Sequence, residues 1–427
     1  MTSCPTVLAL SILLGFAAVP AQAQTIDEMR VELKQLRAEI DLLKGRKAVE
    51  VTPPAAAGVP DPRVAPRIEA AASAPESAIA GGMLVPGTST SLLLYGYGET
   101  HAIHDFKQSN TPDVFTDLAN QPLNSAGGQT GKTQFTAETS RLGFRSSTPG
   151  PKGPLTTKIE IDFYAYGADN RNLLRLRHAY GEYDGWLIGQ TWSTFMDVDD
   201  LPETVDFNGP IGAPFSRRAQ VRYAFGDAKA GVRVTLAAED PADLAGGPSS
   251  GEKVPQLVAR LDKTFEYGAF NLRTMTHTKR SPTETRRGYG FGVGGSLKLG
   301  SKDTLMAQYA QVNGDVDALY GSNGYAIADT HSDNSGDITF DRNQGLVLGH
   351  AHVFSDRLRS NVALGFNRGK TDLGNGNRTL RQLFANLIYT PIQNVDLGAE
   401  WIWGERKTFA DQAGGLSRID LMARYSF

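Results

Sequence analysis

The side chains best suited to chemistry in this sequence are arginines and carboxylates that lie close together in the chain. Residues 193–215 contain five acids and no base, namely Asp197, Asp199, Asp200, Glu203 and Asp206. Directly afterwards, Arg218, Gln220 and Arg222 occupy alternate positions, which share one face of a strand. Acidic and basic surfaces this close together indicate a charged constriction rather than a packed core.

Seven arginines fall on the polar face of alternating segments: Arg141, Arg145, Arg175, Arg177, Arg218, Arg222 and Arg233. A guanidinium keeps its charge and pairs with carboxylates through a planar fork, and rings of Arg or Lys select anions in pores. Two compatible roles remain open, because the arginines could also hold an inward-folded loop by its acids. Seven arginines facing five loop acids leave a cationic excess, so we expect a preference for anions.

The segments that carry these arginines alternate apolar and polar residues. In residues 155–164, Ile159 and Ile161 lie opposite Glu160 and Asp162. A soluble β-sandwich has the same alternation with its apolar face inward, whereas a barrel in lipid has the apolar face outward. A charge facing lipid near the midplane would cost about 2–4 kcal/mol, so in a barrel the arginines belong to the lumen.

The spacing of turns favours the barrel. From residue 91 onward, seven short turns alternate strictly with eight longer loops, which requires sixteen strands with both ends on the short-turn side. The segment gives about 21 residues per strand and connection, which fits transmembrane strands of about 9–11 residues. Residues 91–427 therefore predict an all-β fold, a 16-stranded antiparallel transmembrane β-barrel.

The N-terminal residues predict export and self-association. Residues 1–23 contain a 13-residue apolar run followed by Ala-Gln-Ala, as in a cleaved signal peptide. Residues 24–45 place apolar side chains at heptad positions, which predicts a short periplasmic coiled-coil helix. Residues 46–90 are rich in Pro and Ala and predict a semi-extended linker.

Composition excludes several classes of protein. The formal net charge is only −3, which gives no support for nucleic acid as a partner. The one cysteine, Cys4, lies in the predicted signal peptide, so we expect neither an internal disulfide nor a Cys-x-x-Cys site.

Other motifs have simpler explanations. Residues 127–133 (GGQTGKT) lack the first glycine of a phosphate loop, and His101 and His104 would point to opposite faces of a strand. Residues 331–341 contain closely spaced carboxylates and amides but miss the EF-hand spacing, so a solvated loop is favoured over a weak divalent-ion or lipopolysaccharide contact. With no nucleophile–base–acid set in the sequence, we expect no enzyme activity, no metal site and no cofactor.

Several stretches resemble bacterial outer-membrane porins: residues 94–98 (LYGYG), 140–144 (SRLGF) and the terminal 425–427 (YSF). Residues 175–196 and 215–223 are more specifically similar to the DcaP-like porins, and the similarity covers residues 24–427. The resemblance implies a homotrimer of sixteen-stranded barrels, a third extracellular loop folded inward, and diffusion of small anionic solutes such as dicarboxylates. Its best matches are at Arg141, Arg175, Arg177, Arg218 and Arg222.

We therefore expect a passive outer-membrane porin in contact with lipid and lipopolysaccharide. Residues 193–215 would form its constriction loop, and the seven arginines would line the lumen opposite. The alternative is an anchoring protein that links the envelope through residues 24–45, with the barrel serving only to hold it in the membrane.

Overall fold

A computed structural model describes residues 79–107, 114–127, 130–165, 172–241, 254–315, 317–327, 336–374 and 376–427. The predicted signal peptide, the coiled-coil helix and residues 46–78 of the predicted linker lie outside the described residues. Within the linker range, Met83–Leu84 form a short strand, β1, that pairs with Leu92 and Ser91.

The described residues form a closed antiparallel barrel of sixteen strands, as predicted. Its strands are β2 Ser91–Lys107, β3 Lys132–Thr136, β4 Arg141–Thr148, β5 Leu155–Ala165, β6 Leu173–Tyr183, β7 Trp186–Trp192, β8 Arg217–Gly226, β9 Arg233–Glu239, β10 Gln256–Phe265, β11 Gly268–Arg280, β12 Thr285–Leu299, β13 Asp303–Asn313, β16 Arg342–Ser355, β17 Leu358–Arg368, β18 Asn377–Ile392, β19 Val395–Thr408 and β20 Ala413–Ser426. Strands β3 and β4 are two pieces of one barrel strand, because both pair with β2. The pairing of β20 with β2 closes the sheet.

The remaining elements lie in the long loops. Leu118–Asn120 form a 3-10 turn, and β14 Tyr325–Ile327 pairs with β15 Ile338–Phe340. No helix in the described part of the chain is long and apolar enough to cross a bilayer.

Several strands are longer than the sequence predicted. Strand β2 has 17 residues and β18 has 16, against an expectation of about 9–11. Two predicted long loops, residues 278–287 and 405–415, are largely strand, and only residues 281–284 and 409–412 connect their hairpins. In both hairpins, strand pairing continues beyond the apolar belt. The sequence predicted loops there because these residues are polar.

The predicted alternation is seen in the exposure of the side chains. Leu174 and Leu176 are 62% and 43% exposed on the outer face, whereas Arg177 is 5% exposed. Inside the barrel, apolar loop residues pack on inward-facing ones. Ile211 joins a buried cluster with Phe384 and Ile402, so part of the lumen is filled by loops.

Candidate pore

The third long loop, residues 193–216 between β7 and β8 and called L3 below, runs inside the barrel along its inner wall. At its start, the backbone carbonyl of Met196 accepts a hydrogen bond from Arg260 on β10 at 2.7 Å. The carbonyl of Phe195 accepts one from the fully buried Arg273 on β11 at 2.9 Å. The Asn271 side chain on β11 donates to the Asp197 carboxylate at 2.5 Å.

Further along, L3 crosses to strands that are more than 150 residues away in sequence. Glu203 accepts two hydrogen bonds from Arg359 on β17, both at 2.8 Å. The backbone N–H groups of Val205 and Asp206 donate to the Glu400 carboxylate on β19 at 3.0 and 2.8 Å. L3 therefore spans the inner faces of β10–β13 and β16–β19, called the covered wall below.

Glycines on the covered wall allow this close approach. A Cβ at Gly345 would lie 2.0 Å from the Gly212 carbonyl oxygen, and one at Gly365 would lie 2.6 Å from that of Ile211. Contacts this short to backbone atoms leave no room for a side chain. Alternate small residues therefore form a track on which L3 lies.

The inner faces of β2, β4, β5 and β6, called the open wall below, carry charged side chains instead. The Arg175 guanidinium donates to both oxygens of Asp162 at 3.0 and 2.7 Å. Arg177 donates to Glu160 at 2.9 Å and to Asp162 at 2.8 Å. Such forked, charge-assisted pairs hold each guanidinium in a fixed orientation.

L3 reaches the open wall through Phe207, whose ring lies 5.5 and 5.8 Å from the guanidinium carbons of Arg175 and Arg177. A cavity of about 330 Å³ lies at this contact. Its arginines are interleaved with aromatic rings, including Trp192 4.6 Å from Arg217. The arrangement presents cations on rigid supports to a small solute.

A second cavity, of about 400 Å³, lies between L3 and β8–β11. Asp199 and Asp200 line it together with Arg222, Arg233 and Arg260. This is where the predicted loop acids and two of the predicted arginines come together.

The seven predicted arginines all lie on inward-facing positions, but they differ in access. Arg145 and Arg233 are exposed, whereas Arg141, Arg175 and Arg222 are partly buried. Arg218 corrects the expectation of a pore-lining arginine, because it is fully buried and its guanidinium lies 3.2 Å from the equally buried Asp315. Asp315 belongs to the loop after β13, so Arg218 holds a loop rather than facing the lumen.

The five predicted loop acids also differ in solvent exposure. Asp199 and Glu203 are exposed, but Asp197, Asp200 and Asp206 are at most 3% exposed. The last three therefore anchor L3 through buried contacts, and Asp197 and Asp200 also line the second cavity. Asp206, for instance, accepts hydrogen bonds from the backbone N–H groups of Thr116, Asn208 and Gly209.

Buried loop carboxylates have shifted pKa values. Burial, followed by the neighbouring Asp197 carboxylate, raises the pKa of Asp200 to about 7. Burial also raises the pKa of Asp206. For Asp315, burial acts in the same direction, but Arg218, His277, Lys279 and the backbone N–H of Asp317 together outweigh it and hold the pKa below its usual range.

Several residues of the site were missed by sequence analysis. Arg260 and Arg359 pair with the loop acids, while Glu160 and Asp162 pair with the predicted arginines. Glu160 and Asp162 carry a usable signal, because they share the inward face of β5 with Lys158. The residues that pair with L3 carry no such signal, because their strands are remote from L3 in sequence.

Two minor motifs have structural roles. His101 is buried on the inner face between Glu99 and Asp420, at 3.2 and 3.0 Å, whereas His104 bonds to Thr133. Residues 331–335 lie outside the described residues. Asp341, at the end of that motif, is buried and accepts hydrogen bonds from the N–H groups of Lys370 and Thr371.

Comparison with known proteins agrees with this geometry. A family model described as DcaP outer membrane protein matches residues 83–427. The chain belongs to this family. Among solved structures, it is similar to the outer membrane channel DcaP of Acinetobacter baumannii at 29% identity, with a TM-score of 0.72, covering 81% of this chain and 99% of that chain.

More distant structures share the fold alone. OmpT of Vibrio cholerae is 13% identical, with a TM-score of 0.54 over 81% of this chain and 100% of that one. An anion-selective porin from Comamonas acidovorans is 11% identical, with a TM-score of 0.52 over 79% of this chain and 100% of that one. A search of curated proteins found no match. The fold and family are those of outer-membrane channels.

Proposed function

We propose that the protein is a passive porin for small anionic solutes, dicarboxylates above all, that pass between L3 and the open wall. The inward charges of β4–β9 carry this proposal. Apart from Arg218, which is paired with Asp315, seven are basic: Arg141, Arg145, Lys158, Arg175, Arg177, Arg222 and Arg233. Four are acidic: Glu160, Asp162, Glu182 and Glu239. The inward acids of β2, Glu99 and Asp105, are paired with Arg424 and Arg418 of β20. The excess of three positive charges on β4–β9 favours anions in a narrow lumen.

Two of the loop acids do not reduce this excess, because they are paired elsewhere. Asp197 accepts hydrogen bonds from Arg260 and Asn271, and Glu203 from Arg359, all on the covered wall. L3 therefore narrows the lumen with these two charges held on the far side, while Asp199 and Asp200 lie in the second cavity with Arg222 and Arg233. A solute carboxylate can then pair with guanidinium forks that the wall carboxylates already hold in place.

Block of the ion current tests the proposed solute class. Succinate, acetate and a neutral disaccharide should be added to single channels of the full-length protein in planar bilayers. We expect succinate to interrupt the current at the lowest concentration, acetate at higher concentration, and the sugar least. Block by the sugar at lower concentration than succinate would contradict an anion channel.

We further propose a homotrimer that packs through the outer face of β2. This face is flat, since Gly96, Gly98, Thr100 and Ala102 alternate along it. The structural neighbours include OmpT of Vibrio cholerae in a trimer form. A Cβ at Gly98 meets no atom within 4 Å of the same chain, so a side chain added there acts on a partner.

Gly98→Trp should therefore weaken the trimer and leave the barrel folded. The matched control is Ala307→Trp, which adds the same ring to the outer face of β13. The mass of each purified variant in detergent is the measurement. An intact Gly98→Trp trimer would refute this interface.

A further inference from the structure

An apolar groove of about 390 Å³ lies on the outer face of β16–β19. It is lined by Leu346, Leu348, Leu364, Phe366, Leu383 and Trp403, with Arg381 at its edge. The strand register places these side chains in rows, since Leu348 pairs with Leu364, Leu364 with Leu383, and Leu383 with Trp403. The groove faces the lipid, because these apolar side chains share the outward parity of their strands.

Basic side chains lie on the same outward face, at the long-loop end of these strands. Arg368 pairs in register with Gln344 and Thr379, so Arg342 and Arg381 are its diagonal neighbours on β16 and β18. Diagonal neighbours have Cα atoms about 7–8 Å apart. Lys407 on β19 pairs with Thr379 and extends the row. In transmembrane barrels the long loops face the cell exterior, so the row borders the outer leaflet.

These charges have little compensation. Within the described ranges, Arg342, Arg368 and Arg381 form no ion pair, and Lys407 lies 3.4 Å from Glu405. The row of four bases and one acid carries a net charge of +3. Outward charges next to an apolar belt are stable where an anion of the membrane interface meets them.

We propose that this rim and groove bind one phosphorylated, acylated glycolipid of the outer leaflet, lipopolysaccharide. Its phosphates meet the guanidinium forks of Arg342, Arg368 and Arg381, and one acyl chain lies in the groove. The site thus recognises two groups of the same ligand, a dianionic phosphate and a hydrocarbon chain. The proposal concerns the outer surface and does not depend on what the lumen conducts.

Lipid binding to the full-length protein in detergent, measured by native mass spectrometry, tests the site. The probes are lipid A with both phosphates, lipid A without phosphates, and phosphatidylglycerol. The test variant carries Arg342→Gln, Arg368→Gln and Arg381→Gln together. The matched control carries Lys229→Gln, Lys302→Gln and Arg357→Gln, three bases at the short-turn end.

We expect the native protein to hold bisphosphorylated lipid A at least about tenfold more tightly than the other two lipids. The test variant should lose that preference, and the control should keep it. Equal binding of lipid A with and without phosphates, or an unchanged test variant, would overturn the proposal. A groove covered by another copy of the chain would instead give an assembly larger than the proposed trimer and without bound lipid, which also refutes the proposal.

Folding of the test variant is checked by heat-dependent mobility on a gel, which reports the closed barrel. Because all three arginines point away from the barrel, we expect native mobility. Trp403→Ala provides a second variant that leaves every charge in place. Trp403→Ala should weaken the binding of lipid A, while the preference for phosphorylated over unphosphorylated lipid A remains. Equal loss of affinity and of this preference would contradict the proposal that the groove binds the acyl chain and the arginines bind the phosphates.

Discussion

The covered wall and the open wall have the same alternation of inward and outward residues but opposite inward side chains. Gly345 and Gly365 face inward on the covered wall, where L3 lies in contact with the backbone. Arg175 and Arg177 face inward on the open wall, where the Phe207 ring of L3 lies 5.5 and 5.8 Å from their guanidinium carbons. The size of the inward side chains therefore determines where the loop can lie, and so where the passage remains.

The largest expected effect concerns Arg218, which the alternation assigns to the lumen and the structure assigns to a buried ion pair. Asp315→Ala should destabilise the protein by about 3–5 kcal/mol, because it removes a buried carboxylate that contacts the buried Arg218 guanidinium. Arg222→Gln is the control from the same face of β8, since Arg222 is partly exposed, and it should change stability by less than about 1 kcal/mol. Denaturant titration of barrel unfolding measures the stability of both variants. Equal losses of stability would contradict the claim that Arg218 forms a buried structural pair and Arg222 does not.

A smaller effect is expected when the track under L3 is filled. Gly345→Val should cost about 1–3 kcal/mol, because the new Cβ overlaps the Gly212 carbonyl. L3 should be displaced from the covered wall toward the open wall, and the single-channel conductance should fall because the passage becomes narrower. Ala307→Val, which adds similar volume on the outer face, serves as the control. A conductance equal to that of the native channel would mean that L3 does not set the width.

The smallest expected effect is a dependence on pH. With the pKa of Asp200 raised to about 7, the carboxyl is neutral below that pH and charged above it. Since the raised pKa means that the charged form is disfavoured in the folded protein, the contacts that hold L3 are weakened as the pH rises through 7. The same ionisation adds a negative charge beside Arg222 and Arg233. Anion preference should therefore fall between pH 5.5 and 8.5, and Asp200→Asn should abolish this change. Reversal potentials at the two pH values measure it, and a change that persists in the variant would assign it to another group.

Much of the fold follows from local pattern in the sequence. The alternation in residues 155–164 and the regular turns predict sixteen strands, because the lipid requires an apolar outer face and a closed sheet. The partners of L3 could not be predicted, because pairs such as Glu203 and Arg359 are 156 residues apart and depend on barrel closure. Arg218 was misassigned for the same reason, since its partner lies on a distant loop.

The glycines could have given a further clue. Gly345, Gly349 and Gly365 recur at alternate inward positions, which a strand needs only where a backbone or ligand comes close. Without the strand order, however, nothing indicates which segment approaches them.

The central claim is that the open wall, and not the covered wall, selects the permeating ion. Its most direct test is the reversal potential in a potassium chloride gradient for two matched double variants. Arg175→Gln with Arg177→Gln and Arg260→Gln with Arg359→Gln each remove two guanidiniums and leave their carboxylates. Arg145→Gln, an exposed position on the open wall, provides a single variant that should fold normally. We predict that the native channel prefers chloride, that both open-wall variants shift toward potassium, and that the covered-wall variant shifts less. An equal or larger shift in the covered-wall variant would contradict the account.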